Sequence, residues 1–215
     1  MKKFFAAVGT LCVAVCLAVS AFAAEYGEPN ITTQTTMKEL RENPSIKGSG
    51  FYTYCNEWIE GDTSYDDTPI SGYVSYAAAE DAAEGMNLVI ENYNKGVQIT
   101  WQVYTQEQIA ETPALGMVQL FYFPAETENA KYVMVVPGNG TAELNEGASI
   151  ANQLHELGYA VFVLRYRSFL NASDNAPVYD IGNALKYLYE NADQFGVQRD
   201  NYAVMGFSSG GHIVG

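Results

Sequence analysis

Apolar and polar residues follow two different periods in the middle of the chain. Apolar residues recur every three or four positions from Ala79 to Tyr93, which predicts one amphipathic helix that ends near Gly96. Residues 97–104 then alternate strictly between apolar and polar. This alternation is typical of a half-exposed strand in an antiparallel pair.

From residue 117 onward the pattern changes to short, nearly continuous apolar runs, which suit strands that are covered on both faces. These runs comprise residues 117–123, 132–136, 159–164 and 202–205. Helical stripes separate the last three runs, and each stripe precedes a glycine, Gly158 or Gly196, placed where a helix ends. The stripes are formed by Ile150, Leu154 and Leu157, and by Ile181, Leu185, Leu188, Ala192 and Phe195. The alternation of strand and helix predicts an α/β fold, a parallel sheet with right-handed crossovers and helices on both faces.

The first 23 residues have the composition of a bacterial secretory signal. Met1-Lys2-Lys3 supplies a positive start, an apolar run continues to Val19, and the segment closes on Ser20-Ala21-Phe22-Ala23. We expect cleavage after Ala23, export of the mature protein and no stable membrane association afterwards. An uncleaved anchor is the alternative, because the apolar run approaches the roughly 20 residues that a membrane span needs.

The mature chain divides into two parts. Residues 24–96 form an N-terminal extension rich in Thr, Ser, Tyr, Gly and acidic residues, which carries the amphipathic helix. Within it, Thr36 and Glu39 have capping-box spacing and predict a short helix that Pro44 closes. Residues 97–215 contain the strand and helix alternation, and we interpret them as the N-terminal part of an α/β domain.

Composition and charge narrow the function classes. With 48% apolar and 17% charged residues the chain has enough apolar side chains for a buried core, and a net charge of −14 argues against nucleic acid as a partner. Cys12 and Cys16 lie in the leader, so Cys55 has no partner for an intrachain disulfide, and we expect it to be a small buried hydrophobe. The two histidines and the carboxylates show no ligand spacing, so we expect no metal and no organic cofactor.

The residues that follow the last predicted strand carry the strongest chemical signal, because ligands of such sheets bind outside the carboxyl ends of the strands. Gly206-Phe207-Ser208-Ser209-Gly210 fits the pattern G-x-S-x-G. This pattern describes a sharp turn that lifts one hydroxyl above the sheet, with tiny residues two positions before and after it so that strand and helix approach. We therefore assign Ser208 as a nucleophile. Ser209 is the rival, but Phe207 would then stand where a tiny residue is needed; an idle serine in a glycine-rich turn is the other alternative.

A second glycine-containing turn, Pro137-Gly138-Asn139-Gly140-Thr141, follows the first parallel strand. A hydrolase that attacks a carbonyl stabilises the oxyanion with backbone N–H groups from such a loop and from the residue after the nucleophile. This assigns the N–H of Ser209, together with that of Asn139 or Gly140, as oxyanion donors. Asparagine tolerates left-handed backbone angles, so Asn139 is compatible with the turn. A plain tight turn is the alternative, and the absence of a lysine after the glycines argues against a phosphate site.

Four segments, in this order, resemble the α/β-hydrolase superfamily. They are residues 136–140, residues 157–167, Asp180 with the helix around residues 184–188, and residues 205–212. Within the superfamily the chain is similar to the secreted esterases and lipases that include acetyl xylan esterase-like and feruloyl esterase-like enzymes. The resemblance covers residue 97 to the end and implies an α/β-hydrolase fold with antiparallel strands at the N-terminal edge and Ser208 as nucleophile. Asn139 departs from the family pattern, which usually has glycine there.

The general base is harder to assign, since a serine nucleophile needs a histidine that an acid orients. His212 lies one helical turn after Ser208 on the helix beneath the elbow, and His155 lies within a helix away from the strand ends, so neither suits. In this fold the triad runs Ser, acid, His along the chain. We therefore expect the acid and the histidine beyond residue 215, in a longer enzyme of which this piece alone is poorly stable and inactive.

These observations lead to one main function hypothesis. It is a secreted serine hydrolase that cleaves carboxylic esters through an acyl-enzyme on Ser208. The expected substrate is a small-molecule or polysaccharide ester, and export favours an acylated polysaccharide outside the cell. A peptidase or a lipase of the same fold is an alternative, and so is a non-catalytic binding protein on the same scaffold.

One charged pair has a structural interpretation. Arg167 ends a predicted strand and Asp180 begins the helix that follows it. We expect an ion pair that fixes the intervening loop, and contact with substrate is the alternative.

Overall fold

The computed structural model describes residues 25–51, 63–75, 77–140, 144–168 and 172–215. The helices are α1 (Met37–Glu42), α2 (Pro44–Ser49), α3 (Ile70–Tyr73), α4 (Ala79–Asn94), α5 (Gln106–Glu111), α6 (Ser149–Glu156), α7 (Ala176–Glu190) and α8 (Ser209–Val214). The strands are β1 (Thr100–Gln102), β2 (Gln119–Phe123), β3 (Ala130–Val136), β4 (Ala160–Arg165) and β5 (Val197–Gly206). Within these ranges no helix is long and apolar enough to cross a bilayer. The predicted leader and Cys55 lie outside the described residues.

The five strands form one mixed sheet in the order β1-β2-β4-β3-β5. β3 is parallel to β4 and β5, whereas β2 is antiparallel to β1 and β4. The register places Val135 beside Val163 and Val136 beside Gly206, so the parallel strands end at the same edge of the sheet. The predicted α/β class, with antiparallel strands at the N-terminal edge, is confirmed as a partial α/β-hydrolase fold.

Alternate side chains of the central strands enter two separate cores. On one face, Val133, Val135 and Val161 pack with residues of α4 and α6. On the other face, Met134 and Phe162 pack with the buried side of α7. The prediction of apolar strands covered on both faces is therefore confirmed for β3 and β4, whereas it is wrong for residues 202–205, which lie in the edge strand β5 and are largely exposed.

The N-terminal extension packs onto the first of these cores. α4 follows the predicted periodicity, and Gly96 beyond its end has φ +86°. Upstream, the capping box is present, since Thr36 N–H donates to Glu39 Oε2 at 2.9 Å and Glu39 N–H donates to Thr36 Oγ1 at 3.3 Å. Pro44 does not simply close this helix. It is the first residue of α2, where the missing proline N–H costs nothing.

Several boundaries differ from the predicted ones. β1 is only three residues long, because residues 103–117 turn away into α5 and a short 3-10 helix, Pro113–Met117. Leu157 is 73% exposed, so it follows α6 without joining its apolar stripe. Ala192 and Phe195 are buried as expected, but α7 ends before them, and they pack from the turn that leads to β5.

Candidate active site

The turn between β5 and α8 holds Ser208 in an unusual backbone conformation. Its φ is 48° and its ψ is −123°, a combination that residues with a side chain rarely adopt. The turn is fixed at both ends, because Phe207 N–H donates to the Val136 carbonyl at 3.0 Å and His212 N–H donates to the Ser208 carbonyl at 3.1 Å. The Ser208 side chain is exposed at the carboxyl end of the parallel strands. This is the geometry of a nucleophile elbow.

Backbone crowding explains the two outer glycines of the motif. A Cβ on Gly206 would lie 2.7 Å from the Gly210 carbonyl oxygen, and a Cβ on Gly210 would lie 2.2 Å from the Val136 carbonyl oxygen. Both contacts are with backbone atoms, which cannot swing aside as a flexible side chain can. Strand and helix approach this closely only where both positions lack a side chain.

The loop after β3 is held at three consecutive residues by side chains from elsewhere. The Tyr166 hydroxyl donates to the Pro137 carbonyl at 2.9 Å. The N–H of Gly138 donates to the Glu146 carboxylate. The N–H of Asn139, which has φ 59° and ψ 8°, donates to Ser209 Oγ at 2.7 Å. The loop is therefore ordered by long-range contacts and not by its glycines alone.

The loop and the elbow are in contact. A Cβ on Gly138 would lie 3.0 Å from Ser208 Cβ and 3.5 Å from Ser208 Oγ. Gly140 ends the turn that starts at Gly138, and Ser209 is the first residue of α8, whose N–H has no acceptor inside its own helix. Ser208, Ser209, Asn139 and Gly140 therefore lie close together, as the sequence predicts. In this structure, however, the N–H of Asn139 is already hydrogen-bonded to Ser209 Oγ.

The predicted ion pair between Arg167 and Asp180 is confirmed. Arg167 Nη2 lies 2.7 Å from Asp180 Oδ1, and the Asp180 side chain is fully buried. The backbone N–H of Arg167 also donates to Asp180, and so does the hydroxyl of Tyr104, at 3.0 and 2.7 Å. Burial, reinforced by this hydrogen bond to Asp180, raises the pKa of Tyr104 to about 12. Both Asp180 oxygens are occupied by internal donors, which favours a structural role.

Neither histidine is positioned as a base in the described part of the chain. His212 lies on an exposed position of α8, and His155 lies on α6, where its Nδ1 is buried without a hydrogen-bond partner. No hydrogen bond among the described residues joins an imidazole to Ser208.

A small cavity lies beside the loop, on the side of α7. Its volume is about 140 Å³. It is lined by Asn139, Tyr166, Ser168, Ala172, Pro177, Ser209 and Ile213. This space adjoins the predicted oxyanion donors and has room for a group of only a few heavy atoms.

Residues 119–215 match the model of the BD-FAE family. The matched segment is similar to this family and covers less than half of the chain. The predicted resemblance to α/β-hydrolase esterases is thereby confirmed.

Two curated proteins are similar to the chain. The acetylxylan esterase of Xylanibacter ruminicola is 29% identical over 101 residues, which cover 46% of this chain and 21% of that protein. The endo-1,4-beta-xylanase B of Butyrivibrio fibrisolvens is 30% identical over 214 residues, which cover 90% of this chain and 33% of that protein. The chain therefore spans about a fifth and about a third of these relatives. Among solved structures, the acetyl ester-xyloside bifunctional hydrolase of Caldicellulosiruptor lactoaceticus aligns with a TM-score of 0.47 and 24% identity, over 53% of this chain and 44% of that one.

Sequence reasoning missed the side chains that hold the loop. Tyr166 had a detectable signal, because it stands directly after a predicted strand, where side chains reach the carboxyl edge of the sheet. Glu146 had none, since it lies in a stretch without periodicity. The hydroxyl of Ser209 was considered only as a rival nucleophile, whereas in the structure it accepts a hydrogen bond from Asn139.

Proposed function

We propose that the protein is an exported serine esterase that removes acyl groups from carbohydrate through an acyl-enzyme on Ser208. The observation that carries this proposal is the backbone of Ser208, with φ 48° and ψ −123° on an exposed strand-to-helix turn. Strain of this kind persists where the surrounding structure fixes it, and it is concentrated at functional sites. The N–H groups of the adjacent turns supply the environment that a developing oxyanion requires.

In the proposed reaction Ser208 Oγ attacks the ester carbonyl carbon and loses its proton to a base. The oxyanion accepts hydrogen bonds from the N–H of Ser209 and from the loop, through Asn139 or Gly140. The C–O bond to the sugar breaks, the base returns its proton to the alcohol, and the acyl group stays on Ser208. Water then cleaves the acyl-enzyme to the carboxylic acid. For Asn139 to contribute, its N–H has to exchange Ser209 Oγ for the oxyanion.

We propose that the base and its acid come from a part of the protein outside these 215 residues. The argument rests on where the histidines lie: His155 is on α6, away from the strand ends, and the His212 backbone continues the helix below the elbow. The 215 residues alone are then expected to be catalytically inactive, with Ser208 as the one triad member that the described residues supply.

Acylated xylan, with acetyl as the acyl group, is the proposed substrate class. The names of both curated relatives refer to xylan. The chain aligns with only a third of the xylanase, and glycoside hydrolysis uses a pair of carboxylates, whereas the site described above presents a serine elbow. The cavity of about 140 Å³ beside Asn139 and Ser209 suits a short acyl group. The signal-like first 23 residues support export, which matches a polymer outside the cell.

Release of acetate from acetylated xylan by the full-length natural protein tests this function. Ser208→Ala is expected to lower kcat roughly 10³-fold or more, because the nucleophile is lost. Ser173→Ala, a change of an exposed serine in the short helix before α7, is the matched control and is expected to keep wild-type activity. Acetate release that survives Ser208→Ala would refute the proposal.

A further inference from the structure

The carboxylate of Glu146 reaches the loop beside the nucleophile. Its Oε2 accepts the N–H of Gly138 and lies 2.8 Å from the position that a Cβ on Gly138 would occupy. Ser208 Oγ lies 3.5 Å from the same position. Glu146 therefore fixes the peptide of the loop residue that packs directly against the nucleophile.

The backbone that carries Glu146 is itself unusual. Leu144–Ala148 forms a π-helical turn that continues into α6. Such turns insert one extra residue into a helix and occur frequently at functional sites. Leu144, Asn145, Gly147 and Ala148 are buried, while Glu146 is partly exposed and turns toward the loop.

The N-terminal extension supports this turn at two points. The backbone N–H of Ser75 donates to Asn145 Oδ1 at 2.7 Å. On α4, a Cβ at Gly85 would lie 2.2 Å from the Ala148 carbonyl oxygen, so the helix and the turn are in direct backbone contact. Asn145 and Ala148, which flank Glu146, thus contact a part of the chain that precedes the hydrolase segment.

We propose that Glu146 is a positioning residue that holds the loop after β3 in the orientation that oxyanion stabilisation requires. The proposal deepens the proposed function and rests on it. Glu146 acts as a hydrogen-bond acceptor for Gly138, and its charge is not needed for this role. By engaging the N–H of Gly138 it removes this group from the candidate oxyanion donors of the loop, which are then Gly140 and, once its N–H exchanges Ser209 Oγ for the oxyanion, Asn139.

Two substitutions separate the position of the acceptor from its charge. Glu146→Gln keeps an oxygen at the same distance from the backbone and removes the charge, whereas Glu146→Asp keeps the charge and withdraws the oxygen by one methylene. In the full-length protein with p-nitrophenyl acetate, we expect kcat to fall roughly 10- to 100-fold in Glu146→Asp, as small misplacements of catalytic groups do. KM should be almost unchanged, because the loop acts in the transition state. Glu146→Gln should keep kcat within about threefold and leave the pH profile unshifted.

Glu156→Asp and Glu156→Gln are the matched controls. Glu156 ends α6, the helix that continues from the π-helical turn, and it is exposed at the end remote from Ser208. Both control variants should retain wild-type kinetics. Equal activity of the two Glu146 variants, or a larger loss in Glu146→Gln than in Glu146→Asp, would overturn the proposal.

Amide hydrogen exchange at Gly138 tests the same contact without relying on activity. Exchange should be faster in Glu146→Asp than in wild type and unchanged in Glu146→Gln. Unchanged exchange in Glu146→Asp would show that Glu146 does not hold the loop. A protein that shows this exchange pattern but hydrolyses no ester would refute the proposed function and leave the positioning contact standing.

Discussion

The two turns that meet at Ser208 are built in opposite ways. The elbow is dictated by backbone crowding, with Gly206 pressed against the nearby main chain of Gly210 and Gly210 pressed against the main chain of Val136 at the end of β3. The loop after β3 is held instead by polar side chains, namely that of Glu146, eight residues further along, and those of Tyr166 and Ser209, which are distant in sequence. One half of the candidate site is therefore marked by a short sequence motif, while the other half depends on side-chain contacts of the tertiary fold.

Loss of the ion pair between Arg167 and Asp180 should have the largest effect on stability. Asp180→Asn leaves the Arg167 guanidinium, which is largely buried, without its carboxylate and weakens the acceptor for Tyr104. We expect a loss of about 3 kcal/mol in the free energy of unfolding, the lower end of what removal of one partner of a buried pair costs. Chemical denaturation of the full-length protein measures it.

The control for this variant is an ion pair on the surface. Asp193 pairs with Arg199 at 3.3 Å, and its side chain is 93% exposed. Asp193→Asn should change the free energy of unfolding by less than about 1 kcal/mol. An equal loss of unfolding free energy in Asp180→Asn and Asp193→Asn would show that the buried pair stabilises the protein no more than the exposed pair does.

A side chain at the elbow should have the next largest effect. In Gly210→Ala the new methyl group meets the Val136 carbonyl at 2.2 Å, so β3 and α8 have to separate. We expect about 1–3 kcal/mol of destabilisation and loss of esterase activity, since the turn that presents Ser208 is displaced. Thermal unfolding and acetate release check the two parts of this prediction.

Gly182→Ala is the matched glycine control. Gly182 is exposed on α7, and a Cβ there meets nothing within 4 Å. Because alanine is the better helix former, this variant should be more stable by about 0.5–1 kcal/mol. If Gly210→Ala behaved like Gly182→Ala, backbone crowding would not define the elbow.

The smallest of these effects should come from Tyr166→Phe. The variant removes the hydroxyl that donates to the Pro137 carbonyl and keeps the aromatic ring. We expect about 0.5–1.5 kcal/mol of destabilisation, the usual net value of one hydrogen bond, and a several-fold lower kcat. Tyr179→Phe, at a residue 62% exposed on α7, should leave both quantities unchanged. If Tyr166→Phe lost more activity than Gly210→Ala, the loop after β3 would matter more for activity than the elbow, contrary to this account.

The sequence predicts the central strands and the elbow well, because short sequence patterns mark them. Apolar runs mark strands that are buried on both faces, and the spacing of Gly206 and Gly210 around Ser208 describes a close approach of strand and helix. α5 had a local signal too, since Thr105 and Gln108 form a capping box that was not used.

The contacts that hold the loop after β3 could not be predicted from the sequence, for a physical reason. The bond from Gly138 to Glu146 depends on a π-helical turn, and that turn depends on contacts with Ser75 and Gly85 of the N-terminal extension. No periodicity in one sequence reports contacts of this range. The same holds for Tyr104, whose hydrogen bond to Asp180 joins residues 76 positions apart.

Covalent labelling tests the central claim, that Ser208 is an activated nucleophile, most directly. The full-length natural protein is treated with a fluorophosphonate, and the modified residue is located by peptide mass mapping. We predict a single adduct on Ser208 that is absent from Ser208→Ala. An adduct on Ser209, or a folded full-length protein that is not labelled at all, would contradict the account.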